Sequence, residues 1–236
     1  MTQSRLTVDI WSDIACPWCF IGKRRFEQAL AGLPFRDGVD VVWHSYQLDP
    51  SLPEHYDGTE LDYLATVKGL APERVEEMLA HVTEQAAGVG LDYDFGNLKV
   101  ANSLTAHRLL HLAKAHGRAG ELKEALLSAH FERGLDTGDR ATLRALGCQV
   151  GLPDDDVVRV LDGDAHAADV EADVEQARAL GITGVPFFVL GMKYGISGAQ
   201  PPEVFADALT AAWTEAHPLE RVAASDGAAC GPDGCA

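Results

Sequence analysis

The chain has 236 residues, 47% of them hydrophobic and 23% charged, which is enough to bury a sizeable core in one domain with a large insertion or in two domains. Its 36 acidic residues outnumber the 19 basic ones, and the formal charge of -17 argues against an unassisted grip on nucleic-acid phosphates or anionic lipid. No stretch approaches the roughly 20 apolar residues of a membrane span, and the opening apolar run, broken by Asp9 and Asp13, is too short for a signal sequence, so the expectation is a cytoplasmic protein.

Residues 6–11 alternate apolar and polar side chains and read as a strand, and residues 39–46 read as a second. Between them residues 20–30 carry a helical pattern, with Phe20, Phe26 and Leu30 on the apolar face and Lys23, Arg24 and Arg25 turned outward. A strand, a cysteine-bearing turn, a helix and a strand open a βαβ unit. From about residue 59 to residue 180 helix signals replace strand signals. Pro72 starts one helix that Gly88 closes, and others are expected over 102–116, 118–132, 142–150, 154–161 and 166–180. Gly117, Gly134, Gly151 and Gly181 fall where helix C-termini need a left-handed residue, and Asp154, Asp155 and Asp156 fall where acidic side chains suit a helix N-terminus. The strand pattern returns at 185–190 and again at 192–196 after a turn at Gly191, and Pro201-Pro202 precedes a last helix over 203–216.

Strands at both ends with helices between them predict an α/β protein in which one sheet domain, residues 1–57 and 181–222, is interrupted by a helical insertion, residues 58–180. Residues 223–236 form a small, polar tail that holds two further cysteines.

Cys16-Pro17-Trp18-Cys19 carries the chemistry. Structural disulfides are rare in the cytoplasm, so a close cysteine pair there reads as redox-active or metal-binding. A thiol attacks a disulfide as its thiolate, and a second thiol three positions on can displace the mixed disulfide and close a ring. With Cys16 at the N-terminus of the following helix, unsatisfied N–H groups and the helix dipole favour its anion, which makes Cys16 the expected low-pKa nucleophile and Cys19 the resolving thiol. Pro17 suits the first helical turn and is expected, with Trp18, to face a substrate, where Trp18 shields the pair and stacks or else simply packs. The competing reading, half of a four-cysteine zinc site, needs a second pair at suitable spacing, and Cys230 and Cys235 lie more than 200 positions away.

Thr183-Gly184-Val185-Pro186 is the second element. X-Pro bonds are mostly trans, so the proline alone argues for trans. A proline opening a buried strand nonetheless suits a thioredoxin-like site, with Pro186 beside the dithiol and the backbone of Val185 offering strand-like hydrogen bonds to a peptide.

Val8 through Gly22, together with Gly184-Val185-Pro186-Phe187-Phe188 and Ile196-Ser197-Gly198-Ala199-Gln200-Pro201, resembles the DsbA-type thioredoxin superfamily, specifically its FrnE-like branch. The resemblance covers residues 5 to about 217. It implies a thioredoxin-like fold with a large α-helical domain inserted into it, a cis peptide before Pro186, and disulfide exchange at Cys16 and Cys19 without metal or organic cofactor. Protein or small-molecule thiols and disulfides are the implied substrates, with a cellular thiol as electron donor or acceptor. Secreted DsbA proteins carry an export signal that this sequence does not show. A sister branch, similar to hydroxychromene-carboxylate isomerases and kappa-class glutathione transferases, binds glutathione and has serine at the nucleophile position. Cys16 favours redox exchange over that chemistry, and a redox-responsive chaperone is the non-enzymatic alternative.

Cys230 and Cys235 flank a Pro-Asp-Gly turn that can bring them together, either as an auxiliary redox pair for Cys16 and Cys19 or as an incidental pair on a tail. Cys148 is expected in the core beside Leu143, Leu146 and Val150. His107 and His111 share a helical face, for which packing or solvation is the expectation over metal binding. Asp13, three residues before Cys16, would oppose a thiolate there unless oriented away.

Overall fold

The structure is a computed structural model that describes residues 5–54 and 56–218, together with the backbone of residues 230, 231, 234 and 235. Four strands, β1 (Leu6–Ser12), β2 (Val39–Ser45), β3 (Phe187–Leu190) and β4 (Tyr194–Ser197), make a sheet of order β2-β1-β3-β4. β1 pairs parallel with β2 and antiparallel with β3, placing Ile10 opposite both Trp43 and Phe188. A parallel neighbour requires a crossover, which is α1 (Pro17–Ala31). β3 and β4 are joined by a tight turn with Gly191 and Met192 both at positive φ and Lys193 N–H donating to the Leu190 carbonyl. That is the type I′ geometry whose twist matches a hairpin.

Alternation along β1 divides the core. Val8 and Ile10 face α1 and α9 (Pro202–Ala216), where Phe26, Phe188 and Phe205 pack ring on ring at 4.7–5.9 Å. Trp11 faces the opposite side, against Ala177, Ile182 and Val189.

Between β2 and β3 the chain is helical. A short α2 (Glu60–Asp62) runs into a wider turn over Tyr63–Val67, followed by α3 (Pro72–Ala87), α4 (Leu104–Ala115), α5 (Ala119–Phe131), α6 (Arg140–Gln149), α7 (Asp154–Asp162) and α8 (Ala167–Ala179). α4 to α7 share a core around Leu109, Leu122, Leu126, Leu143 and Val157. A separate cluster joins Phe20 and Ile21 of α1 to Tyr63, Val82, Leu127 and Phe131, so α1 is held by both parts of the molecule.

The helices fall where the sequence pattern places them, and Gly117, Gly134, Gly151 and Gly181 all take positive φ just beyond their helices. The segment around Glu60 was not expected. It begins with a capping box in which Thr59 and Asp62 satisfy each other's backbone N–H, a signature present in the sequence but too short to show periodicity. Cys148 is a correction: it is exposed, with Sγ 3.4 Å from Asp154 Oδ1. Leu143, Leu146 and Gly147 are buried, a stripe spaced by three and four, and at 100° per residue Cys148 turns away from it.

At the C-terminus the backbone forms a two-residue ladder, β5 (Cys230–Gly231) with β6 (Gly234–Cys235), in which Cys230 is the partner of Cys235. The side chains of this pair, the expected auxiliary dithiol, lie outside the described residues.

Candidate active site

α1 begins at Pro17, three residues earlier than its apolar pattern, because proline at the first helical position has no N–H to leave unsatisfied. Cys16 is thereby the N-cap, extended at φ -99° and ψ 112°, and Cys19 lies in the first turn with its N–H donating to the Cys16 carbonyl at 3.0 Å. Both are free thiols, 4% and 1% exposed. They differ in access: Cys16 lines a cavity of about 410 Å³, and Cys19 lies behind it.

Pro17, Trp18 and Val185, three of the four residues expected to face a substrate, line the same cavity. Cys16 Sγ is 3.4 Å from the Val185 carbonyl oxygen, across 169 positions of sequence. The Val185–Pro186 bond is cis. Pro186 itself is buried and packs toward α1, where a Cβ on Gly22 would stand 2.9 Å from its Cγ. Only glycine at position 22 lets the helix and the proline loop approach so closely.

The electrostatics depart from the helix-dipole expectation. The thiols are hydrogen bonded to each other; the neighbouring Cys19, burial and Asp13 push the Cys16 thiol well above its ordinary value. Burial opposes the Cys19 anion as well, yet the Cys16 hydrogen bond, the Lys123 ammonium and the Ser12 hydroxyl together hold the Cys19 thiol low. The fixed cation behind Cys19 and the fixed anion beside Cys16 thus favour an anion at Cys19 over one at Cys16.

Lys123, on α5, is 1% exposed, donates to the Ser12 carbonyl at 3.3 Å and lies over the Trp43 ring. Burial brings its pKa down to about 8. The Ser12 hydroxyl is buried and otherwise unpaired among the described residues, and it favours the Cys19 anion. Asp13 is fully tied: Leu48 N–H donates at 2.7 Å, His107 Nε2 lies at 3.1 Å, and Ser103 adds a further bond. Burial opposes this carboxylate, but the His107 bond and its companions hold its pKa at about 2. His107 is thus a packed partner of Asp13, and His111 turns instead to Ser45 and Asp173. Among the described residues no cluster of three or more histidine, cysteine, aspartate or glutamate side chains could hold a metal.

Lys123, Ser12 and His130, which also lines the cavity, are site residues the sequence reading missed. Lys123 had a signal: it stands three and four positions before Leu126 and Leu127, on the stripe the helix buries.

A parallel-then-antiparallel sheet, a C-x-x-C at a helix N-terminus and a cis-proline loop against the first thiol define a thioredoxin-type protein with a helical insertion. The DSBA-like thioredoxin domain matches residues 7–210, and the chain belongs to that family. A probable DsbA oxidoreductase from Streptomyces coelicolor is 44% identical, with 98% of this chain and 99% of that one covered and a TM-score of 0.84. Uncharacterized protein YwbO of Bacillus subtilis is 26% identical over 208 residues, 86% of this chain and 95% of that protein. The cytosolic disulfide reductase DsbM of Pseudomonas aeruginosa, solved with GSH, shares the fold at a TM-score of 0.63 and 18% identity, covering 87% and 98% of the two chains.

Proposed function

We propose that this DsbA-family protein is a thiol-disulfide oxidoreductase or isomerase in which Cys16 attacks and Cys19 resolves. The observation that carries this reading is access: Cys16 borders the cavity and Cys19 does not. Transfer of the shared proton from Cys16 to Cys19 makes Cys16 the thiolate. Its sulfur attacks one sulfur of a substrate disulfide, the S–S bond breaks, the departing thiolate takes a proton from water, and Cys19 returns its own proton to water. Cys19, deprotonated beside Lys123, then attacks the Cys16 sulfur and expels the second substrate thiolate. The enzyme leaves with a Cys16–Cys19 disulfide and two electrons have passed to the substrate; the reverse sequence oxidises a dithiol. Lys123 and Ser12 compensate the anion at Cys19, and Pro186 holds Val185 where its carbonyl meets Cys16. The proposed substrates are protein or small-molecule disulfides and thiols, with a cellular thiol as redox partner and the cytoplasm as the compartment, as for the cytosolic reductase that shares the fold.

The test is disulfide reduction and scrambled-disulfide refolding with single variants. Cys16→Ser is expected to lose activity entirely. Cys19→Ser is expected to accumulate a mixed disulfide at Cys16 that mass spectrometry detects. Full activity of Cys16→Ser sinks the reading, and thiol-dependent turnover that survives Cys19→Ser replaces it with glutathione-dependent isomerase or transferase chemistry. Cys230→Ser/Cys235→Ser tests the auxiliary pair, whose backbone register is compatible with a disulfide. Slower turnover with an unchanged Cys16 titration is the result expected for a dithiol that exchanges with the first.

A further inference from the structure

The cavity in front of Cys16 is built mainly by the helical insertion and the loop before it. Leu52, Tyr63, Leu64, Val82 and Val100 wall it, and Trp18 and His81 lie ring to ring at 5.9 Å along it. Two further wall residues, Leu48 and Met78, are 48% and 40% exposed, although large apolar side chains are normally covered. Apolar surface concentrated around a nucleophile in a cavity of about 410 Å³ is suited to a compact apolar ligand.

The polar groups set the sign of that ligand. Three carboxyl groups, Asp13, Asp49 and Glu60, line the cavity against one lysine, Lys68. Lys68 is already committed: its Nζ donates to Asp49 Oδ2 at 2.7 Å, and the Tyr63 hydroxyl donates to the same oxygen at 2.7 Å. Burial keeps His130 neutral down to about 4, so it offers no positive charge at neutral pH, while Glu60, pushed up to about 7, is divided between its neutral and anionic forms there. The chain's overall charge of -17 adds a repulsive field at longer range. An anionic thiol or disulfide entering here finds no unpaired lysine or arginine among the residues lining the cavity, and His81 at its rim is the one remaining basic side chain there.

Resting on Cys16 as the attacking thiol, we propose that its substrate is a small apolar disulfide that is uncharged or cationic, an aryl or benzyl disulfide being the simplest case, and that anionic disulfides are rejected. The apolar group occupies the wall of Leu48, Leu64, Met78 and Val82 while its sulfur meets Cys16. A basic substituent gains from Glu60 and Asp49. The exchange itself is balanced as above: the Cys16–sulfur bond forms, the substrate S–S bond breaks, and the released apolar thiolate takes a proton from water.

The experiment measures second-order rate constants for the reduced full-length protein with matched aryl disulfides bearing aminomethyl, hydroxymethyl or carboxymethyl groups, and with glutathione disulfide and 2-hydroxyethyl disulfide. Each is divided by the rate of the same disulfide with mercaptoethanol thiolate in solution, which removes differences in leaving-group chemistry. The neutral and cationic aryl disulfides are expected to exceed both the anionic aryl compound and glutathione disulfide by about tenfold or more, with the margin shrinking as salt is added. Met78→Trp is expected to lower the ratio of aryl to 2-hydroxyethyl rates, and Glu60→Gln to lower the ratio of cationic to neutral. Equal normalised rates for neutral and anionic disulfides, or a preference for glutathione disulfide, overturn the proposal while leaving Cys16 as the nucleophile. Absence of exchange with every disulfide, 2-hydroxyethyl disulfide included, overturns the underlying reading and the proposal with it.

Discussion

Lys123 carries the electrostatics of the dithiol from outside the thioredoxin part of the chain. Burial without a paired carboxylate is costly for an ammonium, and the displacement from 10.5 to about 8 corresponds to about 3 kcal/mol against the charged form. What offsets part of this cost is the Cys19 anion. Lys123→Met preserves the stem's volume and removes the charge. The expected result is a rise in the lower thiol titration of the reduced protein, read from thiolate absorbance against pH, with a more negative reduction potential because the reduced form loses a group that favours its anion. The oxidised protein, which has no thiolate to pair, should become more stable toward urea. An unchanged thiol titration would show that Lys123 only fills space.

At the scale of elements, the seam between the sheet and α8 is fastened by one carboxylate. Asp173 accepts from Ser45 N–H at 2.7 Å and faces His44 Nδ1 at 2.7 Å and His111 Nε2 at 3.1 Å, while its backbone carbonyl accepts from Trp11 Nε1 at 2.9 Å. His44 in turn stacks on Trp11 at 4.3 Å and reaches Asp9. Asp173→Asn keeps the shape but turns one acceptor into a donor against groups that are themselves donors. A loss of about 3 kcal/mol is expected, seen as a lower urea midpoint with an unchanged slope. None of this network is legible in the sequence, since its members come from β1, β2, α4 and α8 and share no spacing. What was legible obeys local rules. Periodicity located the strands and long helices, glycines located the helix ends, and C-x-x-C located the dithiol. The start of α1 came from the proline, which suits a first helical turn, and not from apolar periodicity, which begins only at Phe20. Cys148 was misplaced because a hydrophobic neighbourhood in sequence was taken for a helical face. Which thiol is favoured as the anion depends on Asp13 and Lys123, which lie 110 residues apart.

For the whole molecule, the buried titrating groups around the cavity make acid the natural route to unfolding. His130, on α5, is 3% exposed, and burial holds its pKa at about 4 against an ordinary 6.5. The unfolded chain therefore takes up this proton at a higher pH than the folded one, so the contribution of neutral His130 is complete above pH 6.5 and is lost as pH falls toward 4. The difference is about 3 kcal/mol. Asp13 follows at lower pH: held at about 2 against 3.8, its contribution is complete above pH 3.8 and disappears as pH falls toward 2, a further loss of about 2 kcal/mol. Both side chains stand where the helical insertion meets the thioredoxin part, so the same protons that destabilise the fold enter at the wall of the cavity in front of Cys16. Glu60, pushed up to about 7, takes up its proton first in the folded chain and works against this loss over the same window, so the His130 contribution is read as the difference between parent and variant in urea unfolding of the oxidised protein at a series of pH values. His130→Gln cannot take up a proton and should gain stability relative to the parent as pH falls from 6.5 to 4, while leaving the steeper fall below it. Parallel curves for parent and variant across that window would remove His130 as the cause and place the acid sensitivity elsewhere in the seam.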